Sequence, residues 1–361
     1  MRNNFIRSAL PPVAYLSLLM VLSIIPRLAF GVPAAPDSPY TPRKSSSAPS
    51  RLVATIHVKS HTAAYRSPAY AQRAQVRRMR NVRHAAFKPP PSLGRSFGLH
   101  QTPDALALRS SVAYVIDQNT NEALFEKNAQ AVLPIASISK LMTAMVTLDA
   151  NLPLTEILEV SNADRDFEKG TSSRLSVGSR LSRADMLHIA LMSSENRAAA
   201  ALSRYYPGGR LAFVTAMNQK AQSLGMKDTH FLDPTGLSSH NVSSARDLAK
   251  MVKAAYQYPV IREFSTDANH NVFTSRKALQ YRSTNALVRN PSWEIGLQKT
   301  GFIREAGECL VMQATIQNRP LIIVLLDSTG KYSRLGDAKR IRSWVGNGGV
   351  QHMSRADAAD S

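Results

Sequence analysis

The sequence predicts an α/β (α+β) protein, in which both ends of the folded region form one antiparallel sheet and a helical lobe is inserted between them. Strand-like segments occur at 112–126 and return after residue 295, and the residues between them have helical spacing. With 361 residues and 44% hydrophobic content, the chain can bury a sizeable core. A site between the two lobes is the natural expectation.

The first 34 residues have the form of a signal peptide. Arg2 and Arg7 precede an apolar run at 13–25, and small residues follow around Gly31 and Ala34. The run is shorter than the ~20 residues of a membrane-spanning helix. We therefore expect export, with cleavage after Gly31 or Ala34.

Residues 35–100 are predicted to be a disordered basic arm. The segment is rich in Pro, Ser, Ala and Arg, and residues 38–100 hold twelve Lys and Arg but no Asp or Glu. The whole chain carries a formal charge of +20. The arm suits an anionic wall polymer or a membrane surface, or it is a solvated spacer. Export makes a nucleic-acid partner unexpected, and the single Cys309 allows no disulfide within the chain.

The folded region is expected at 101–347, followed by a loose tail at 348–361. Its first element is a hairpin, because two apolar runs flank the polar residues 118–121. Helical spacing and apolar strand patterns assign the rest. The predicted helices are 133–148, 181–191, 213–224, 245–256 and 332–345, and the late strands are 295–300, 308–316 and 321–327.

The helix at 133–148 is predicted to begin at Pro134 and to be buried, because it is apolar on nearly every face. It carries Ser137 and Lys140, whose three-residue spacing places both on one face within about 6 Å. Desolvation disfavours the ammonium form of a lysine, so a buried Lys140 is able to take a proton from Ser137.

The Ser-x-x-Lys pattern alone is weak, since it occurs again at 328–331, where Gly330 indicates a turn. Two further motifs give it weight: Ser194-Glu195-Asn196 lies in a predicted loop between helices, and Lys299-Thr300-Gly301 ends a predicted strand. Simpler interpretations stay open. Ser194 or Asn196 is also suited to cap a helix, and Lys299 to be a solvated charge at a strand end.

With these three motifs, the region 103–345 resembles low-molecular-mass penicillin-binding proteins of the D-alanyl-D-alanine peptidase family, whose fold is β-lactamase-like. Segments 224–226, 231–237 and 296–302 also resemble that family. The resemblance implies that Ser137 is the nucleophile, that neutral Lys140 is its base, and that Ser194 relays a proton to the leaving amine.

The resemblance also implies the binding residues. Asn196 would hold a substrate amide, and Lys299, followed by Thr300, would face the carboxylate beside the scissile bond. The N–H groups of Ser137 and Phe302 would form the oxyanion hole. Gly301 would be small because substrate and backbone approach closely there.

Several activities are compatible with this family. A DD-endopeptidase cutting D-Ala to diaminopimelate cross-links is favoured over a DD-carboxypeptidase, because the chain stops one helix after its last strand, without a further β-rich domain. A class A β-lactamase is disfavoured, since no Glu-x-x-x-Asn or Glu-x-x-Leu-Asn lies between Ser194 and Lys299. A non-catalytic wall-binding sensor is the remaining alternative.

The same resemblance sets expectations for ligands and compartment. The partners implied are peptidoglycan stem peptides and, as acylating inhibitors, β-lactam antibiotics. No cofactor is expected, and the histidine spacing indicates no metal site. The compartment expected for such an exported enzyme is the periplasm.

Overall fold

The computed structural model of the chain describes residues 90–349. In this part of the chain the helices are α1 (Leu93–Ser96), α2 (Lys140–Asp149), α3 (Arg183–Met192), α4 (Asn196–Arg204), α5 (Gly209–Ser223), α6 (Ala245–Ala255), α7 (Pro259–Thr266) and α8 (Ser333–Gly346). The strands are β1 (Ser110–Asp117), β2 (Ala123–Lys127), β3 (Leu133–Pro134), β4 (Ile157–Glu159), β5 (Arg180–Ser182), β6 (Val242–Ser243), β7 (Asn269–Phe273), β8 (Ala278–Arg282), β9 (Glu294–Ile303), β10 (Gly307–Ile316) and β11 (Arg319–Ser328).

The main sheet has the order β2-β1-β11-β10-β9, and every neighbouring pair is antiparallel. Its centre joins the two ends of the folded region, with Val112 opposite Leu326 and Ile116 opposite Ile322. The predicted sheet is therefore confirmed. Strand β9 lies at the edge, so one side of its backbone is not paired within the sheet.

The two faces of the sheet are covered by different helices. Alternate side chains point to opposite faces of a strand. Val112 and Leu326 face the helical lobe, where α6 packs on β1, β10 and β11. Leu325 points the other way, toward Ala338 and Ile341 of α8. The predicted closing helix thus seals the face opposite the helical lobe.

The predicted start of the central helix at Pro134 is wrong. Leu133 and Pro134 form β3, in which Pro134 pairs with Val242, and a 3-10 turn at Ala136–Ser139 precedes α2. The cause is Ala136, whose φ of +50° is incompatible with a continuous α-helix. As predicted, α2 itself is buried along nearly its whole length.

The predicted boundary at residue 100 is also wrong, because the folded part already includes α1. Gly94 lies so close to Asp327 that an added Cβ would be 2.4 Å from the carboxylate, and the Leu93 N–H donates to the Glu305 carbonyl at 2.9 Å. Close backbone packing, rather than an apolar pattern, holds this segment. The predicted signal peptide, the arm up to residue 89 and most of the tail lie outside the described residues.

No helix within residues 90–349 combines the length and the apolar character needed to cross a membrane.

Candidate active site

Ser137 and Lys140 lie where the 3-10 turn passes into α2. The Lys140 Nζ donates three hydrogen bonds: to Ser137 Oγ at 2.8 Å, to Asn196 Oδ1 at 2.7 Å and to the Thr235 carbonyl at 2.6 Å. Its side chain is 1% exposed. The structure therefore brings together the predicted serine and lysine and adds a main-chain oxygen to the lysine's surroundings.

Burial changes the protonation of Lys140. Desolvation lowers its pKa to about 7, while the negative charges of Asp233 and Glu195 act in the opposite direction. An ammonium donates three hydrogen bonds, whereas a neutral amine donates two and accepts one. When neutral, Lys140 is able to keep its bonds to Asn196 and Thr235 while accepting a hydrogen bond from the Ser137 hydroxyl.

A tight turn at 233–238 holds the Thr235 carbonyl in place. The Asp233 carboxylate accepts hydrogen bonds from the N–H groups of Thr235 and Gly236, at 2.6 and 2.8 Å. Gly236 has a φ of +79°, and an added Cβ would lie 2.0 Å from the Ala136 carbonyl oxygen. Only glycine permits this approach. Segment 231–237 resembles the family in sequence, but side-chain patterns carry no signal for a carbonyl that binds Lys140.

Ser194 lies in the loop between α3 and α4, and its Oγ accepts a hydrogen bond from Lys299 Nζ at 3.0 Å. Its φ of +63° is a strained value for serine, and such strain is concentrated at functional sites. Neither Ser194 nor Asn196 caps α4. Glu195 does so, by accepting a hydrogen bond from the Arg197 N–H at 3.3 Å.

Asn196 connects the lysine to a neighbouring loop. Its Oδ1 accepts from Lys140, and its Nδ2 donates to Thr171 Oγ1 at 3.0 Å. Both bonds fix the orientation of the amide. Thr171 could not be identified from the sequence, because it lies in a polar stretch without periodicity.

Lys299 occupies the opposite wall of the cleft, on β9. It is fully buried, so the interpretation as a solvated charge is wrong. Its Nζ donates to the Thr300 carbonyl at 2.8 Å as well as to Ser194. Desolvation lowers its pKa well below the usual value, and the positive charges of Lys140 and Arg334 lower it further.

The end of β9 lies close to the nucleophile. A Cβ added at Gly301 would be 2.9 Å from the Ile135 carbonyl oxygen. The Thr300 carbonyl points away from β10 toward Lys299, and residues two apart on a strand direct their polar groups to the same side. The N–H of Phe302 therefore points into the cleft, while its side chain is exposed.

Sequence reasoning missed Arg334, on α8. Its Nη1 donates to the Gly301 carbonyl at 3.4 Å, and the guanidinium pairs with Glu308. Burial lowers the pKa of Arg334 to about 10. Its approach to Gly301 is apparent only after α8 packs on β10 and β11.

The arrangement suits acyl transfer. It joins a hydroxyl beside an amine that can lose its proton, a second hydroxyl, and a lysine able to attract a carboxylate. A cavity of about 280 Å³, lined in part by Asn196 and Thr235, opens beside these groups. Among residues 90–349, no three His, Cys, Asp or Glu side chains converge as metal ligands would.

The chain is similar to known proteins in both sequence and fold. The family described as D-alanyl-D-alanine carboxypeptidase matches residues 99–330. A D-alanyl-D-alanine endopeptidase of Pseudomonas aeruginosa is 49% identical over 273 residues, covering 75% of this chain and 86% of that protein. One of Escherichia coli K12 is 50% identical over 251 residues, covering 69% and 81%.

Among solved structures, penicillin-binding protein D2 of Listeria monocytogenes in its cefotaxime-bound form aligns with a TM-score of 0.59 and 29% identity. The alignment covers 67% of this chain and 98% of that one. The predicted fold and family are confirmed. The chain belongs to the D-alanyl-D-alanine carboxypeptidase family of serine DD-peptidases, as its three motifs predict.

Proposed function

We propose that the chain is a DD-endopeptidase that hydrolyses D-Ala to diaminopimelate cross-links in peptidoglycan through an acyl-enzyme on Ser137. The observation that carries this proposal is the meeting of Ser137, a buried Lys140 and a buried Lys299 in one cleft. The first pair supplies an activated nucleophile. The last residue supplies a charge for the carboxylate beside the scissile bond.

Acylation begins with attack of Ser137 Oγ on the D-Ala carbonyl carbon. The hydroxyl proton passes to neutral Lys140, 2.8 Å away. The N–H groups of Ser137 and Phe302 stabilise the oxyanion as the tetrahedral intermediate forms. The edge position of β9 allows the substrate backbone to lie beside it as an added strand.

Expulsion of the amine needs a proton. Ser194, linked to Lys299 at 3.0 Å, relays it to the leaving nitrogen, so that the C–N bond breaks and the D-Ala acyl group stays on Ser137. Asn196 holds the substrate amide, and Thr300 and Gly301 of β9 lie beside the substrate. Water then hydrolyses the ester and releases the peptide carboxylate.

The choice of endopeptidase over carboxypeptidase is supported by the two relatives named endopeptidase, which match at 49% and 50% identity. Removal of a terminal D-Ala uses the same residues and is the alternative activity. Purified cross-linked muropeptides decide between them: the proposal expects dimers to become monomers. Conversion of pentapeptides to tetrapeptides, with dimers left intact, would establish the carboxypeptidase instead.

The same nucleophile is expected to be acylated by β-lactams and to release them slowly. Glu195, the acid within the Ser194–Asn196 motif, accepts hydrogen bonds from Ser173 Oγ at 2.6 Å and from the Arg197 N–H, so it is engaged in structure. Fluorescent penicillin should label the protein, and Ser137→Ala should abolish labelling. Full labelling of that variant would exclude the mechanism.

The proposal also includes export to the periplasm and a role for the basic arm in retaining the protein on the cell wall. The leader motif at 1–34 and the absence of Asp and Glu from residues 38–100 support them. Deletion of residues 35–89, which leaves α1 intact, should preserve cleavage of small substrates and weaken retention on whole sacculi at low salt. Unchanged retention would show that the arm is only a spacer. A mature protein that still begins at Met1 would exclude signal cleavage.

A further inference from the structure

A salt bridge joins the two walls of the cleft beyond the end of β9. Lys169 Nζ, in the helical-lobe loop 165–171, lies 2.6 Å from Glu305 Oε1 in the turn after β9. The two side chains are 28% and 40% exposed, and pairs that reach solvent in this way contribute little to stability. Such a pair is able to exchange its partners for the charges of a ligand.

Both ends of the bridge are held at fixed positions. On the loop side, the Asp166 carboxylate accepts from the Thr171 N–H at 2.8 Å, and Thr171 Oγ1 accepts from Asn196. On the sheet side, the Leu93 N–H donates to the Glu305 carbonyl at 2.9 Å. The two charges are therefore positioned relative to the reacting groups rather than placed at random on the surface.

Glu305 also has unused hydrogen-bonding capacity. Its Oε2 atom is shielded from solvent and has no hydrogen-bond partner among residues 90–349. The Glu305 side chain as a whole is 40% exposed, so an arriving ammonium group is able to approach the carboxylate from solvent, on the side that pairs with Lys169. The bridge thus offers a ligand one cation, Lys169, and one anion, Glu305.

The proposed chemistry sets the direction of the substrate along β9. The carboxylate beside the scissile bond lies at Lys299, and the scissile carbonyl lies at the Phe302 N–H. The peptide that becomes the acyl group, here called the donor stem, therefore continues from Phe302 toward Glu305. Glu305 lies in the turn that follows β9, two residues beyond Ile303, where the side chain of the next donor residue is able to reach it.

That next residue, immediately before the D-Ala of the donor stem, is diaminopimelate. Its side chain ends in an ammonium and a carboxylate on one carbon, two charges complementary to Glu305 and Lys169. We infer that Lys169 and Glu305 bind this free amino-acid end and select donor stems that carry it. The inference rests on the proposed peptidase function and names the specificity of the same cleft.

The test pairs a change in the protein with a change in the substrate. kcat/KM is measured on a muropeptide dimer with a free donor diaminopimelate and on the same dimer with that carboxylate amidated. The native chain should prefer the free form by about fivefold, the range of an exposed charge pair. Lys169→Gln should bring this ratio close to one. A second ratio compares the free dimer with a dimer whose donor amine is acetylated, and Glu305→Gln should bring that ratio close to one.

Lys253→Gln is the matched control, since the half-buried Lys253 bonds to Asn121, in the turn between β1 and β2, and takes no part in the cleft; it should keep the native ratios. If the bridge only fastens the two walls together, Lys169→Gln will lower kcat/KM equally for both dimers and leave the ratio unchanged, which overturns the inference.

Failure of the proposed function has a different signature. If dimers are not cut, the same ratios are measured on pentapeptides, which carry the same diaminopimelate. Hydrolysis of neither substrate would overturn the peptidase function and the inference together.

Discussion

The two walls of the cleft each bury a lysine, but they surround it differently. On the helical wall, Lys140 has the carboxylates of Asp233 and Glu195 near it, and these partly offset the desolvation that lowers its pKa to about 7. On the strand wall, Lys299 has Lys140 and Arg334 near it, and these add to the effect of desolvation. The same side chain is thus given two different tasks by its neighbours.

The difference accounts for the division of labour proposed here. An amine with a pKa near 7 is suited to accept and return a proton at neutral pH. A desolvated amine with cations near it gains most when an anion arrives, because the charge of the anion offsets the effects that lower its pKa. The strand wall is therefore prepared for a carboxylate.

The largest expected effect comes from removing the base on the helical wall. In Lys140→Arg the guanidinium remains protonated at neutral pH, so it cannot accept the Ser137 proton. The rate of acylation by fluorescent penicillin should fall about 10²- to 10⁴-fold, the usual contribution of a general base. Lys250→Arg, at an exposed position on α6, is the control, and comparable acylation of both variants would contradict the assignment of Lys140.

The next effect compares how much the free energy of unfolding falls when a glycine on each wall is replaced by alanine. Gly236→Ala places a Cβ 2.0 Å from the Ala136 carbonyl at a φ of +79°, and it should lower the free energy of unfolding by about 1–3 kcal/mol. Gly301→Ala, whose Cβ meets the Ile135 carbonyl at 2.9 Å, should lower it by about 1 kcal/mol.

Urea denaturation measures both free energies of unfolding. Gly336→Ala provides the control, since its Cβ meets only Arg340 Nη1 at 4.0 Å and alanine favours a helix. Equal losses in Gly236→Ala and Gly301→Ala would show that the shorter contact and the positive φ at Gly236 add no further cost.

The pH dependence should have opposite signs for the two lysines. The acylation rate constant should rise about tenfold per pH unit below 7 and level off above it, as Lys140 loses its proton. Affinity for a carboxylate ligand should fall as pH rises, because Lys299 must be protonated to attract it. Stopped-flow acylation separates rate from affinity, and calorimetry on Ser137→Ala should detect proton uptake upon binding.

A smaller effect is expected at a buried imidazole outside the cleft. Desolvation and the neighbouring His270 lower the pKa of His188 to about 4, although Asp267 and Asp185 act in the opposite direction. The unfolded chain then binds more protons than the folded chain between pH 6.5 and about 4, so stability should fall as pH falls through this range. In His188→Gln the slope of unfolding free energy against pH should be smaller; an unchanged slope would exclude His188 as its source.

The sheet, most helices and the three motifs could be predicted because each depends on local pattern. The strands β1, β10 and β11 are apolar runs, and α6 has clear helical spacing. The hairpin formed by β7 and β8 was not anticipated, since its sequence 269–282 is largely polar. Three features of the site were also missed: the Thr235 carbonyl, the Thr171 hydroxyl and Arg334.

These failures share a physical cause. Thr235 acts through its main chain, whose direction is set by Gly236 and by the Asp233 carboxylate. Arg334 reaches Gly301 only through the packing of α8 beneath the sheet. Contacts between segments far apart in the chain leave no periodic pattern in either segment.

The carbonyl that holds the Lys140 amine has a genetic consequence. Every codon at position 235 specifies a residue with the same carbonyl group, so no substitution there can delete this acceptor. The neighbouring position 236 does not tolerate substitution in this way, because any side chain there collides with the Ala136 carbonyl. Selection by antibiotics that acylate Ser137 should therefore accept changes at 235 far more readily than changes at 236.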